Sequence, residues 1–136
     1  MVERTIFISL IHKQTGFVIN SNAYLVLTEN GGEDWKIIHE NEGTFFRCII
    51  FKNRQEGWLG TIGTDDPYLR SRDSISLFET KDGGQNWSPV KFIGSQPKGL
   101  CGLQIVNDNF YCRMWSSAWL IFFYQKPKRC TLTILS

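Results

Sequence analysis

A chain of 136 residues is one domain at most, expected to bury roughly two-thirds of the surface its unfolded form exposes. Fifteen basic and thirteen acidic residues leave a net charge of +2, which excludes the strong electrostatic footprint of a nucleic-acid or anionic-membrane binder. Aromatic residues make up 14% of the chain, a level suited to sheets with aromatic ladders rather than to a helical protein.

Alternation and β-branched or aromatic enrichment predict strands in two successive groups of four. The first group runs over residues 5–11, 16–20, 24–28 and 35–39, and the second over 46–51, 57–62, 74–80 and 87–92. Pro89 falls in the last of these, where an edge strand tolerates the missing N–H. A third group begins at 99–106, with Asn107, Asp108 and Asn109 as its turn.

The two groups are copies of one unit. Thr28-Glu29-Asn30-Gly31-Gly32-Glu33-Asp34-Trp35 and Thr80-Lys81-Asp82-Gly83-Gly84-Gln85-Asn86-Trp87 both read T-x-[ND]-G-G-x-x-W between two strands. The paired glycines supply the positive φ a tight hairpin needs. Asn30 or Asp82 can fold its side-chain oxygen onto turn N–H groups, Thr28 and Thr80 can bond the same turn, and the indole of Trp35 or Trp87 can cover it. A second element precedes each turn: Gly16-Phe17 recurs as Gly57-Trp58, a step of 41 residues (17 to 58). The tryptophan of the turn recurs after 52 (35 to 87), and the difference is an insertion over 63–73. A unit of about 40–45 residues and four short strands is the size of one propeller blade.

The turn motif resembles the Asp-box, or BNR repeat, of sialidase-like β-propellers. Its order with Phe46-Arg47-x-Ile49 and Gly57-Trp58-Leu59-Gly60 resembles the photosystem II stability/assembly factor family and its bacterial relatives, over about residues 5–108. The resemblance implies an all-β fold of antiparallel four-stranded blades, incomplete, with about two and a half blades present. Blade one would span 5–39, blade two 46–92 and the start of blade three 99–110. It further implies a non-catalytic scaffold for a protein partner, with no cofactor. Unpaired blade edges are expected to make such an arc prone to self-association.

Residues 111–136 depart from the pattern: there is no third T-x-[ND]-G-G-x-x-W turn and no glycine. They read as an atypical tail, out of frame or a product of truncation, with β-forming composition at 120–124 and 131–135 and an amphipathic helix over 116–124 as the alternative. Trp115, Trp119, Leu120, Ile121, Phe122 and Phe123 are the apolar supply left to cover the open blade, and are expected to pack on blade two or pair with its strands as a makeshift cap. The basic stretch at 125–129 reads as a solvated segment.

Other chemistry finds little support. Cys48, Cys101, Cys112 and Cys130 have neither C-x-x-C nor paired spacing and read as buried free thiols. His12 and His39 lack partners at metal-ligand spacing and read as surface residues. A sialidase-like enzyme or glycan-binding module needs an arginine triad for the substrate carboxylate. Arg4, Arg47, Arg54, Arg70, Arg72, Arg113 and Arg129 form no such set on two blades. A non-functional fragment of a longer propeller gene is the other alternative. The apolar run at 119–124 is too short to span a membrane, and Ile6-Phe7-Ile8 after Glu3-Arg4 makes no secretory signal. The chain as written is expected in the cytoplasm, although the resemblance implies that longer relatives are exported. The inserted loop carries Tyr68, Arg70 and Arg72, residue types enriched at binding hot spots, and with Arg47 these are the candidate partner contacts.

Overall fold

The computed structural model describes residues 6–20, 24–40, 46–63, 75–93, 98–114, 119–125 and 129–135; for 6, 7, 93, 114, 119–125 and 129–135 it describes the backbone. Among the described residues thirteen strands form three sheets. The first holds β1 (Ile6–His12), β2 (Thr15–Asn20), β3 (Tyr24–Thr28) and β4 (Lys36–Glu40), in that order. The second repeats the plan with β5 (Phe46–Phe51), β6 (Gly57–Thr61), β7 (Leu77–Thr80) and β8 (Ser88–Pro89). The third holds β10 (Leu100–Val106), β11 (Asn109–Met114), β12 (Trp119–Gln125) and β13 (Arg129–Leu135), with β9 (Phe92–Ile93) added beside β13. Every pairing is antiparallel except that of β13 with β9, which is parallel.

The sheets stack face to face, and the side-chain alternation of each strand decides which neighbour a residue meets. Phe17, Ile19, Leu25 and Leu27 of sheet one bury against Phe46, Ile49, Phe51 and Leu59 of sheet two. Phe17 and Phe51 stack with ring centroids 3.7 Å apart. The other face of sheet two, with Cys48, Trp58, Leu77 and Val90, buries against Leu100, Phe110 and Cys112 of sheet three. Here Trp58 meets Phe110 edge to face at 4.1 Å. Gly57 is glycine because a Cβ there would lie 2.6 Å from the Phe51 ring, which crosses the strand to reach blade one. One buried bond ties the blades as well: the Phe51 N–H donates to Ser9 Oγ at 3.1 Å.

Two segments differ from the sequence pattern. Residues 87–92 do not make one strand. Val90 N–H still donates to Leu77 O at 3.0 Å, but the chain then leaves sheet two, and Phe92 and Ile93 pair with Cys130 and Thr131. Pro89 has no N–H to extend the ladder, so the break falls beside it. In the third sheet, strand pairing runs on past residue 110: β12 and β13, at the two stretches of β-forming composition and not in the alternative helix over 116–124, supply the third and fourth strands. β13 pairs through Cys130 and Thr131 with Phe92 and Ile93, whereas Trp119 to Phe123 of β12 pair with β11 and β13 inside sheet three rather than with strands of sheet two. The β10–β11 turn matches its reading, with Asn107 and Asp108 at φ 50° and 63°, the two left-handed residues of a tight hairpin. β7 starts at Leu77, and just before it the Thr61 hydroxyl donates to the Ile75 carbonyl at 2.7 Å.

Candidate functional site

The two repeated turns have one geometry. Thr28 Oγ1 accepts from Gly32 N–H at 2.9 Å and donates to Asn30 Oδ1 at 3.1 Å. That oxygen also accepts from Asp34 N–H, and Trp35 Nε1 donates to Gly32 O. In the second turn Thr80 Oγ1 accepts from Gly84 N–H and donates to Asp82 Oδ1, Asn86 N–H donates to Asp82 Oδ1, and Trp87 Nε1 donates to Gly84 O. Gly31, Gly32, Gly83 and Gly84 all lie at positive φ, between 73° and 93°. Gly31 N–H and Gly83 N–H donate to Gln14 O and Gln55 O, which docks each turn on the preceding hairpin. The motif residues are engaged with one another.

The turns differ in which residue carries the charge. Asn30 Nδ2 donates to the Asp34 carboxylate, whereas Asn86 Nδ2 donates to the Asp82 carboxylate. The N–H and side-chain amide of Asn86, with the Thr80 hydroxyl, hold Asp82 from its ordinary 3.8 down to about 2. A depressed carboxylate favours folding above its unfolded pKa, and that contribution is lost as pH falls through the folded value. The second turn is therefore expected to loosen between about pH 4 and pH 2. Asp82→Asn, which reproduces the Asn30 arrangement at that position, should remove this component. The check is the pH dependence of Trp87 fluorescence; an unchanged acid transition in Asp82→Asn would refute it.

The tryptophans share their hydrogen bond but not their burial. Trp87 is half-buried against Phe51 and His39, while Trp35 stays exposed, because no sheet among the described residues covers the outer face of blade one. His39, expected at the surface, is instead half-buried beside Phe46 and Trp87, and burial lowers its pKa below the ordinary 6.5. The neutral ring is favoured by folding, so the blade one–blade two contact should weaken as pH falls below 6.5 and through that lowered value. An NMR titration of His39 should show a midpoint below 6.5; a midpoint above it would contradict this.

Of the candidate partner residues, Tyr68, Arg70 and Arg72 lie outside the described residues. Their anchor is defined. Thr61 N–H donates to Ser76 O at 2.9 Å, Gly63 N–H donates to Thr61 Oγ1 at 3.0 Å, and Gly63 turns the chain at φ 53°. Arg47 is half-buried beside this anchor, since its neighbour Phe46 pairs with Thr61 across a bulge in β5. The structure therefore brings Arg47 to the base of the inserted loop, at the end of the blade away from the repeated turns.

A second concavity was not foreseen. β1, β5 and β10 are the leading strands of their sheets and lie side by side. Between them is a cleft of about 430 Å³ lined by Ile8, Leu10, Ile50, Lys52, Leu103 and Ile105, among others. A neighbouring cleft of about 310 Å³ shares Lys52 and Ile105 and adds Glu56, Trp58 and Asp108. Lys52 bonds Asp108 at 3.3 Å across the sheets. The available signal was positional: the first strand of each copy lines the inner side of an arc of blades.

Among the described residues no group of three His, Cys, Asp or Glu side chains could hold a metal ion. Cys48, Cys101 and Cys112 are free thiols, and burial pushes the Cys48 thiol up, away from the reactive thiolate. No helix among the described residues is long and apolar enough to cross a membrane.

Four-stranded antiparallel sheets, stacked face to face with their leading strands inward and left as an open arc, define an incomplete β-propeller. No protein-family model matches the chain, and no curated protein matches its sequence. Solved structures do match: YCF48 bound to D1 peptide has a TM-score of 0.67 at 21% identity, over 93% of this chain and 39% of that one. YCF48 from Cyanidioschyzon merolae has a TM-score of 0.59 at 19% identity, over 85% of this chain and 32% of that one. The chain thus spans about a third to two-fifths of the length of these structures, and the likeness fixes its fold as the propeller expected from the sequence.

Proposed function

We propose that this chain is a non-catalytic propeller module that binds a segment of a protein partner, in the manner of an assembly factor. The observation that carries the reading is the fold shared with YCF48, a photosystem II assembly factor, one structure of which holds a peptide. The contact surface in this reading is the blade end where Arg47 stands at the base of the inserted loop, with Tyr68, Arg70 and Arg72 as the groups that meet the partner. Arginine and tyrosine suit the role because each offers a large flat contact together with hydrogen-bond donors.

Fluorescence anisotropy of labelled D1 peptide, titrated with the full chain, tests this. Saturable binding is expected, weakened about tenfold or more in Arg70→Ala and Arg72→Ala. Lys52→Ala marks the inner cleft and should leave the affinity unchanged. Loss of binding in Lys52→Ala alone would move the site to that cleft; absence of saturable binding would overturn the partner reading. A fluorogenic sialoside should remain uncleaved, and turnover would show an enzyme instead.

A further inference from the structure

We infer that Cys48 and Cys101 are a redox-sensitive pair, which a low-molecular-weight disulfide converts to an intramolecular disulfide that fastens blade two to blade three. The two residues come from the leading strands β5 and β10, which lie side by side. Cys48 belongs to the apolar cluster between these blades and is buried. Its side chain crosses Gly60: a Cβ there would collide with Cys48 Sγ and would lie 3.2 Å from Leu100 Cβ. The Cys48 sulfur therefore stands beside the residue that precedes Cys101.

The backbone of β10 sets the aim of Cys101. Leu100 faces blade two, so in a regular strand Cys101 would point to the opposite face. The strand is not regular here. Leu100 pairs with Met114 and Gly102 with Arg113, which leaves Cys101 as the extra residue of a bulge. A bulge breaks the alternation and re-aims a side chain. The Cys101 sulfur comes close enough for its charge to be felt at Cys48. Cys101 is half-buried and keeps some access to solvent, whereas Cys112, in the same cluster as Cys48, is fully buried.

This difference in access orders the steps. The Cys101 thiolate attacks one sulfur of the small disulfide. That S–S bond breaks, a bond from Cys101 to one half of the oxidant forms, and the other half leaves as a thiolate that takes up a proton. Cys48 then gives up its proton and attacks Cys101 Sγ. The mixed disulfide breaks, and the second half of the oxidant leaves as a thiol. Two protein thiols are oxidised and one disulfide is reduced to two thiols. The Arg47 charge also reaches Cys48 and favours the thiolate that the second step needs. The contact that the new bond fastens is the apolar one of Trp58, Leu77 and Val90 with Phe110.

Incubation of the full chain with excess oxidised glutathione tests this, read by intact mass and by non-reducing peptide mapping. The expected product is lighter than the reduced chain by two hydrogen atoms and carries Cys48 and Cys101 in one cross-linked peptide. Its thermal midpoint should rise by about 5 °C or more. Cys48→Ala should stop at a glutathione adduct on Cys101. Cys101→Ser changes a half-buried position, so it should keep its fold by circular dichroism and give no cross-link to Cys48. No reaction at Cys101, a lasting adduct there in the unsubstituted chain, a cross-link through Cys112 or Cys130 in its place, or a cross-linked chain that melts as the reduced one does would each overturn the proposal.

Discussion

Replacing Gly84 by valine is expected to destabilise the chain by about 2–6 kcal/mol, while Gln85→Val, one residue on, stays within about 0.5 kcal/mol. Two costs add at Gly84. The backbone sits at φ 90°, a conformation that a β-branched residue adopts only under strain of about 1–3 kcal/mol. There is also no room: a Cβ would lie 3.1 Å from Ile38 Cδ1 and 3.2 Å from Leu25 Cδ2, both across the blade interface. The γ-methyls of valine would press further into that packing, at about 1–3 kcal/mol. Gln85 is exposed in the same turn and meets neither constraint. Thermal melts of the two variants decide the matter. Equal losses would mean that turn composition in general, rather than the conformation and setting of Gly84, carries the effect. Gly32 has the same φ but meets only Trp35, with no neighbouring blade, so Gly32→Val should cost less than Gly84→Val.

That last contrast marks where the sequence stops being informative. The turn chemistry was legible because it is local: Thr28, Asn30, Gly31, Gly32 and Trp35 lie within eight residues and satisfy one another. Gly57 beside Trp58 was legible as a repeated unit, though not the reason for the glycine, which is a Phe51 ring from the adjacent strand. What Trp87 and Trp35 each meet is set by whether a sheet lies over them, and identical motifs carry no record of that. The parallel pairing of β9 with β13 joins Phe92 to Cys130, and no local signal announces a partner that distant. The same holds for the inner cleft, whose Lys52 and Asp108 come from different blades. In the tail the strand-forming composition of 120–124 and 131–135 was legible, but the place of those strands in a sheet was not, for a related reason. β12 and β13 lack turn glycines and the repeated motif, and only the waiting edges of β11 and β9 fix their register.

Deleting residues 115–136 is the change with the largest expected effect, and it measures how far that tail belongs to the fold. The deletion removes β12 and β13 together. It leaves β10 and β11 as a two-stranded hairpin, marginal in isolation, and strips β9 of its pairing. That hairpin carries Phe110 and Cys112, which cover Trp58, Leu77 and Val90 of blade two. If the hairpin loosens, side chains of the size of Phe110, Leu77 and Val90 return to water at about 1.5–3 kcal/mol each. Their sum is comparable with the whole stability of an ordinary domain, about 5–15 kcal/mol. The β11 edge, now unpaired along six residues from Asn109 to Met114, also offers N–H and C=O groups to other chains. The truncated chain should bind an apolar-surface dye more strongly, lose its cooperative melt and sediment as aggregates. A truncated chain that stays monodisperse and melts as the full chain does would show that blade three contributes nothing to the stability of the first two. Pairing of β12 and β13 would then be a consequence of the fold rather than a support for it.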